Sequence, residues 1–263
     1  MISSPLDRAA LITGGASGFG LAVARALEAR GSRVAIADNS PAHLATAREA
    51  LGPDALSLQT DVTSPDEVRA AVSACVERFG GLDTLVTSAG VIHIADLEDV
   101  AESAWDLTLD VNLKGSFLAA QAAAPALRKS GRGRIVAVGS DASKRGFPGI
   151  QAYCASKFGL VGLVESLAME LAPDQVTVNC VCPVGCPTTE MGKAVAAWKA
   201  SHSDLSTEEV IAAAARTNPL GRNATEEDVV GTILFLLSEE ASFLTGLAID
   251  VDGGAHLGAM PGV

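Results

Sequence analysis

The run Leu11-Ile12-Thr13-Gly14-Gly15-Ala16-Ser17-Gly18-Phe19-Gly20 lies between an apolar stretch and a helical one. Ala9 to Ile12 has the unbroken apolar character of a short internal strand, and Leu21-Ala22-Val23-Ala24-Arg25-Ala26-Leu27 predicts a helix that stops at Gly31. Strand, glycine turn and helix in that order make an anion cradle. Missing Cβ atoms let backbone N–H groups approach a pyrophosphate, and the helix N-terminus adds a favourable partial charge. A second strand, Arg33-Val34-Ala35-Ile36-Ala37-Asp38, ends in a carboxylate where a dinucleotide site needs an acceptor for ribose hydroxyls. A glycine turn that served the backbone alone would not require this Asp, so the arrangement points to a dinucleotide, and its spacing fits NAD.

The 263 residues contain no Ser/Pro tract, charge block, low-complexity run or internal repeat that would divide them, and one domain spanning 1–263 is expected. Apolar residues make up 48% and aromatics only 4%, so Ala, Val and Leu must fill the core. A net charge of −12 argues against binding a nucleic-acid backbone, which needs a basic face to release counterions. Met1-Ile2-Ser3-Ser4-Pro5 lacks the regions of a signal peptide, and Ile233-Leu234-Phe235-Leu236-Leu237 is too short to span a bilayer. A cytoplasmic protein without membrane partners is expected. Among the five cysteines, Cys180, Cys182 and Cys186 have a spacing that raises zinc, but no paired knuckle or nearby His accompanies them. Reduced thiols and no metal are the expectation.

Beyond Asp38, Ser40-Pro41 caps a helix ending near Gly52, Ala55–Thr60 is a strand, and Ser64-Pro65-Asp66-Glu67 is a capping box opening a helix closed by Gly80-Gly81. Leu82–Val86 is the next strand. A long helix from about Asp99 to Lys129, the strand Arg134–Val138 and a helix from about Gln151 to Leu171 follow, and then strands at Val176–Val181 and Leu247–Val251. This alternation predicts an α/β fold with a parallel sheet covered on both faces and ligands at the carboxyl ends of its strands. The rhythm breaks at about 184–217, where two short helical patterns, the second opened by Ser206-Thr207-Glu208-Glu209, predict a lid over the ligand crevice.

Tyr153-Cys154-Ala155-Ser156-Lys157 begins the helix after the fifth strand, and the i to i+4 spacing puts Tyr153, the only tyrosine, on one face with Lys157. A phenol of reference pKa ~10 is a poor base at neutral pH, and lowering it by ~3 units takes ~4 kcal/mol. One ammonium at ~4 Å supplies about that much at an effective dielectric of ~20, which makes Lys157 the necessary partner. Ser140, at the end of the preceding strand, is placed to reach the same carbonyl oxygen, and Asn112 to orient a water or Lys157.

At these residues the chain resembles the short-chain dehydrogenase/reductase family over nearly its whole length. Thr13-Gly14-Gly15-Ala16-Ser17-Gly18-Phe19-Gly20 matches its Thr-Gly-x₃-Gly-x-Gly loop, and Asn112, Ser140, Tyr153 and Lys157 match its catalytic tetrad in order and approximate spacing. The resemblance implies a single-domain, Rossmann-type, doubly wound seven-stranded sheet and a hydride passed between nicotinamide C4 and a carbonyl or alcohol carbon. Tyr153 would be the general acid/base and Ser140 would hold the substrate oxygen. Lys157 would lower the Tyr153 pKa while binding the nicotinamide ribose, and Asn112 would support a proton relay. Gly14, Ser17, Gly18, Phe19, Gly20, Asp38, Asp61, Val62 and Gly90 would hold the rest of the cofactor, and Thr188 the nicotinamide carboxamide or phosphate. Two stretches depart from the pattern: Thr87-Ser88-Ala89-Gly90 replaces Asn-Asn-Ala-Gly, and Pro183-Val184-Gly185 replaces a Pro-Gly pair. A homotetramer is a further implication.

The residues thus point to NAD(H)-dependent alcohol oxidation or ketone reduction. A non-catalytic dinucleotide-binding regulator and a 3-ketoacyl-(acyl-carrier-protein) reductase are the alternatives. Intact Tyr153 and Lys157 count against the first, and the net charge of −12, which repels an acidic carrier, against the second. Met191, Val195 and Trp198 in the first lid helix, Phe147-Pro148-Gly149-Ile150 before Tyr153, and Ile92 and Ile94 after strand four offer apolar surface. Lys193, Lys199 and Arg216 have the spacing of the lid's solvated side. The expected substrate is a neutral, largely apolar small-molecule secondary alcohol or ketone, cyclic or steroid-like.

Overall fold

The computed structural model describes residues 6–258, so the leader reading of Met1–Pro5 falls outside it. Seven parallel strands, β1 (Ala9–Thr13), β2 (Arg33–Asp38), β3 (Leu56–Gln59), β4 (Thr84–Thr87), β5 (Arg134–Val138), β6 (Thr177–Pro183) and β7 (Ala248–Val251), form one sheet in the order β3-β2-β1-β4-β5-β6-β7. Strand β1 pairs with β2 on one side and with β4 on the other. Strand order therefore reverses beside β1, and its carboxyl end opens the crevice where α/β sheets bind ligands.

The period-2 alternation of the buried strands sorts their side chains between two cores. Ala9 and Leu11 of β1 join the core built by α3 (Pro65–Phe79), α5 (Gly115–Ser130) and α6 (Gln151–Leu171). Ala10 and Ile12 join the core built by α1 (Gly18–Glu28), α2 (Pro41–Ala50) and α9 (Glu226–Leu236). Each fully buried Leu or Ile here contributes roughly 2 kcal/mol. At the opposite end from the crevice, the buried Arg8 guanidinium donates to Arg132 O at 2.7 Å and Glu239 Oε1 at 2.8 Å, while Arg132 reaches Asp83 at 2.8 Å. These bonds fix the segment after α9 beneath β1 and β5.

Local signals explain most boundaries. Ser40 and Ser64 accept from the N3 amides of α2 and α3, and Gly80 closes α3 at φ +75°, a conformation that costs glycine least. The reciprocal half of the Ser64 capping box is absent, because Glu67 Oε2 accepts from Asp61 N–H at 2.8 Å instead. The lid is two helices, α7 (Glu190–Ser201) and α8 (Thr207–Thr217), the latter opened by a complete Ser206–Glu209 box. Strand β6 runs two residues further than its apolar pattern indicated and ends in Pro183.

The long helix expected from Asp99 to Lys129 runs unbroken from Glu102 to Ser130, but it is not α-helical throughout. After a short turn at Leu97–Asp99, α4 (Glu102–Leu109) passes into a π turn over Asp110–Lys114 before α5 begins. The buried Asn112 side chain explains the extra residue: its Oδ1 accepts from Val91 N–H at 2.8 Å and its Nδ2 donates to Val91 O and Ser156 Oγ, both at 3.0 Å. Such turns mark functional positions in helices. Among the described residues no helix is long and apolar enough to cross a membrane.

Candidate active site

A cavity of about 740 Å³ opens at the carboxyl ends of β1, β2, β4 and β5 and extends beneath the lid. Gly14, Ser17, Gly18 and Phe19 line one end of it. Gly14 stands at φ +61°, and a Cβ there would lie 2.6 Å from the Ala89 backbone, so this position admits only glycine. Gly20 lies behind the lining, and a Cβ on it would collide with the Gly14 carbonyl; its place in the loop is steric. Asp38, buried at the end of β2, accepts Ser40 N–H at 3.0 Å through Oδ1 and Ala16 N–H at 3.3 Å through Oδ2. The carboxylate is thus held against the glycine loop with lone pairs left to face the cavity. Asp61, Val62 and Gly90 also line this end, and Asp61 Oδ1 accepts from the Thr63 amide and hydroxyl. Fixed acceptors, backbone N–H groups and close-approach glycines are the donor set an adenine dinucleotide requires, and the residues fit it.

Deeper in the cavity stand Ser140, Tyr153 and Lys157, all buried. Tyr153 and Lys157 lie one turn apart on α6, with Lys157 Nζ 5.5 Å from the centre of the phenol ring. Lys157 Nζ donates to Val138 O, the last carbonyl of β5, at 2.8 Å. Ser140 Oγ accepts from Ala142 N–H at 3.1 Å and donates to Asp141 Oδ1 at 2.9 Å. Asn112 is outside the cavity lining; a Cβ on Gly90 would be 3.5 Å from its Oδ1 and 3.8 Å from Lys157 Nζ, so Asn112 braces the wall beside Lys157.

The protonation balance differs from the sequence arithmetic. Burial pushes the Tyr153 phenol up to about 12, outweighing its hydrogen bond with Ser140, which pulls it down, and the Asp141 charge adds to the rise. Burial pushes Lys157 down to about 8, partly opposed by nearby Cys180 and Cys182. Both charged forms lose hydration in the same enclosed space, and the ammonium is committed to a backbone carbonyl. Desolvation therefore exceeds the pairing on which the expected lowering rested.

The lid closes the cavity with apolar surface. Met191, Val195 and Trp198 of α7 face inward opposite Ile92, Ile94, Phe147 and Ile150, as their spacing indicated. From α8, Val210, Ile211 and Ala214 join them; their apolar pattern after the Ser206 cap was the signal available for them. Lys193 and Arg216 are exposed and outside the lining, whereas the exposed Lys199 stands at its rim. Thr188 is exposed, its hydroxyl 3.1 Å from Cys186 Sγ, and Thr189, which caps α7, lines the cavity in its stead. Asn39, His43, Asp141 and Asn223 are lining residues that pattern reading did not single out. Cys180 and Cys182 share one face of β6 with sulfurs 3.7 Å apart; no group of three metal-ligating side chains occurs among the described residues.

Fold and site together define a dinucleotide-dependent α/β oxidoreductase. A family model described as Enoyl-(Acyl carrier protein) reductase matches residues 14–256. Galactitol 2-dehydrogenase of Agrobacterium fabrum is 35% identical, with 94% of this chain and 97% of that protein covered. Trans-4-hydroxycyclohexanecarboxylate dehydrogenase of Sinomonas cyclohexanicum is 38% identical, covering 96% and 94%. Among solved structures, a point variant of actinorhodin polyketide ketoreductase with NADPH superimposes with a TM-score of 0.89 at 33% identity, covering 96% of this chain and 98% of that one. The chain belongs to the short-chain dehydrogenase/reductase family. It is a short-chain alcohol dehydrogenase/ketone reductase, an oxidoreductase of secondary alcohols or ketones that uses a nicotinamide cofactor.

Proposed function

We propose that this enzyme transfers a hydride between NAD(H) and a neutral, largely apolar secondary alcohol or ketone with an alicyclic or steroid-like ring. The observation that carries this reading is the apolar wall formed above Tyr153 by α7, α8 and the Phe147–Ile150 loop. Tyr153 exchanges the proton of the substrate oxygen, Ser140 holds that oxygen, and Lys157 binds the nicotinamide ribose and supplies positive charge beside the phenol. Asn112 supports the proton path by fixing Val91 and the helix that carries Tyr153. The nicotinamide, when bound, accepts or donates the hydride. The similarity to a hydroxycyclohexanecarboxylate dehydrogenase supports a ring substrate, and the exposed Lys199 at the rim is the one place where a substrate carboxylate would meet a cation of α7.

The NAD preference rests on Asp38. A 2′-phosphate brings about two negative charges to this carboxylate, on the order of several kcal/mol at ~5 Å and an effective dielectric of ~20. Asp38→Ala narrows the NAD-to-NADP ratio of kcat/KM by tenfold or more; equal efficiency of wild type with both cofactors would refute the preference. The similarity to an NADPH-bound polyketide ketoreductase favours the ketoacyl-reductase alternative, against which stand Asp38 and the net charge of −12.

A homotetramer in the cytoplasm completes the proposal, supported by apolar side chains left exposed on α4, α5 and α6 (Trp105, Phe117 and Phe158) and near β7 (Phe243 and Leu247). The test of function is a substrate series matched at the reacting carbon, comparing alicyclic or steroid alcohols with phosphorylated or carboxylated ones at saturating NAD. A kcat/KM at least tenfold higher for the anionic members, lost when Lys199 is neutralised, would overturn the apolar-substrate reading.

A further inference from the structure

The Ser140 hydroxyl carries one proton, and the structure shows where it goes. Oγ accepts from Ala142 N–H at 3.1 Å and donates to Asp141 Oδ1 at 2.9 Å, a charge-assisted bond. The other Asp141 oxygen is 3.2 Å from Arg145 NH2, and the Arg145 guanidinium lies over Phe147, 5.2 Å from the ring centre, against the cavity wall. With its proton on Asp141, Ser140 turns a lone pair toward the space beside Tyr153, and it lowers the phenol pKa only when that proton swings over to the phenolate.

We propose that Asp141 is a positioning residue for the proton transfer: its carboxylate holds the Ser140 proton away from the cavity, and Arg145 sets how strongly it does so. The inference rests on Tyr153 being the proton-transfer group. Two oxygens compete for one hydroxyl proton, the Asp141 carboxylate and the anionic oxygen that forms in the cavity, whether phenolate or substrate alkoxide. An unneutralised Asp141 wins that competition and adds a repulsive charge. Paired with Arg145, it is a weaker acceptor and the proton is released to the cavity. The other titratable groups around Tyr153 are Lys157 on its own helix, Cys154 beside it and Cys182 from β6. Glu190 and Lys199 of the lid face the same cavity, with Asp38, His43 and Asp61 at its glycine-loop end. Of these, Asp141 alone is bonded to Ser140.

Charge logic gives the two partners opposite effects, which a purely structural role for an acid in this turn would not. Asp141→Asn removes the charge and frees the Ser140 proton, so the phenolate forms more easily. Arg145→Ala leaves the carboxylate unopposed, so the phenolate forms less easily. The test is the pH dependence of kcat/KM for oxidation of a neutral secondary alcohol that the wild type turns over, at saturating NAD, with melting curves and NADH binding to verify folding. The expected result is an ionisation limb about half a pH unit or more lower in Asp141→Asn and higher by a similar amount in Arg145→Ala, with Arg145→Lys close to wild type. Limbs that stay in place, or move in the same direction in both variants, would overturn the proposal. Should Asp141→Asn not fold, the alkaline shift in the surface variant Arg145→Ala decides alone, its absence counting against. Tyr153→Phe separates the two levels: an inactive Phe variant with unmoved limbs elsewhere sinks only the role of Asp141, whereas an active one removes the foundation for both.

Discussion

Because Tyr153 is the only tyrosine, tyrosinate absorbance reports on the catalytic cavity alone. In the protein without added cofactor, burial pushes this phenol up to about 12, some two units above the ordinary value of ~10 and equivalent to about 3 kcal/mol in favour of the neutral form. At about pH 11 roughly a tenth of the native sites and roughly nine-tenths of the denatured ones should be ionised. An ultraviolet titration of native protein beside a urea-denatured sample measures both. The sign for stability follows: with the folded value raised, this contribution is full below about pH 10 and is lost as pH rises toward about 12. Lys157 acts oppositely. Its folded value is lowered to about 8, so the unfolded chain binds more protons above that pH, and stability rises from about 8 toward 10.5. A native tyrosine midpoint at or below about 10 would refute the statement that desolvation dominates in the cavity.

Other perturbations test the scaffold. Gly149, at φ +77°, would place a Cβ 2.7 Å from the Trp198 ring, so Gly149→Ala should unseat the first lid helix. A several-fold rise in KM for ring substrates, with kcat on a small alcohol retained, is the expected kinetic outcome; an unchanged KM would contradict the seating. Arg8→Ala removes the buried guanidinium from Arg132 O and Glu239 while Asp83 keeps Arg132, and should lower the denaturant-derived stability by about 2 kcal/mol without altering KM.

Much of this was legible in the sequence because the signals are local. A glycine that must be glycine at Gly14, caps at Ser40, Ser64 and Ser206, and the short apolar strands each follow from their own few residues. The α6 register that puts Lys157 beside Tyr153 follows from helical spacing in the same way. What was not legible depends on partners distant in the chain. The π turn exists because Asn112 satisfies Val91 and Ser156, neither of which is its neighbour in sequence. Glu67 leaves its expected cap for the Asp61 amide, and Thr188 turns to Cys186 while Thr189 takes the cavity wall. The Tyr153 ionisation escapes a sequence reading for the same kind of reason. A spacing supplies the distance to an ammonium, but the cost of drying both groups depends on the enclosing fold.

The most direct measurement of the central claim is turnover by Tyr153→Phe, made alongside a fluorescence titration of NADH binding. The ring still fills its place in α6 but has no proton to exchange, so kcat should fall by about a hundredfold or more, with the NADH dissociation constant within a few-fold of wild type. A Phe variant retaining more than about a tenth of wild-type kcat would contradict Tyr153 as the general acid/base.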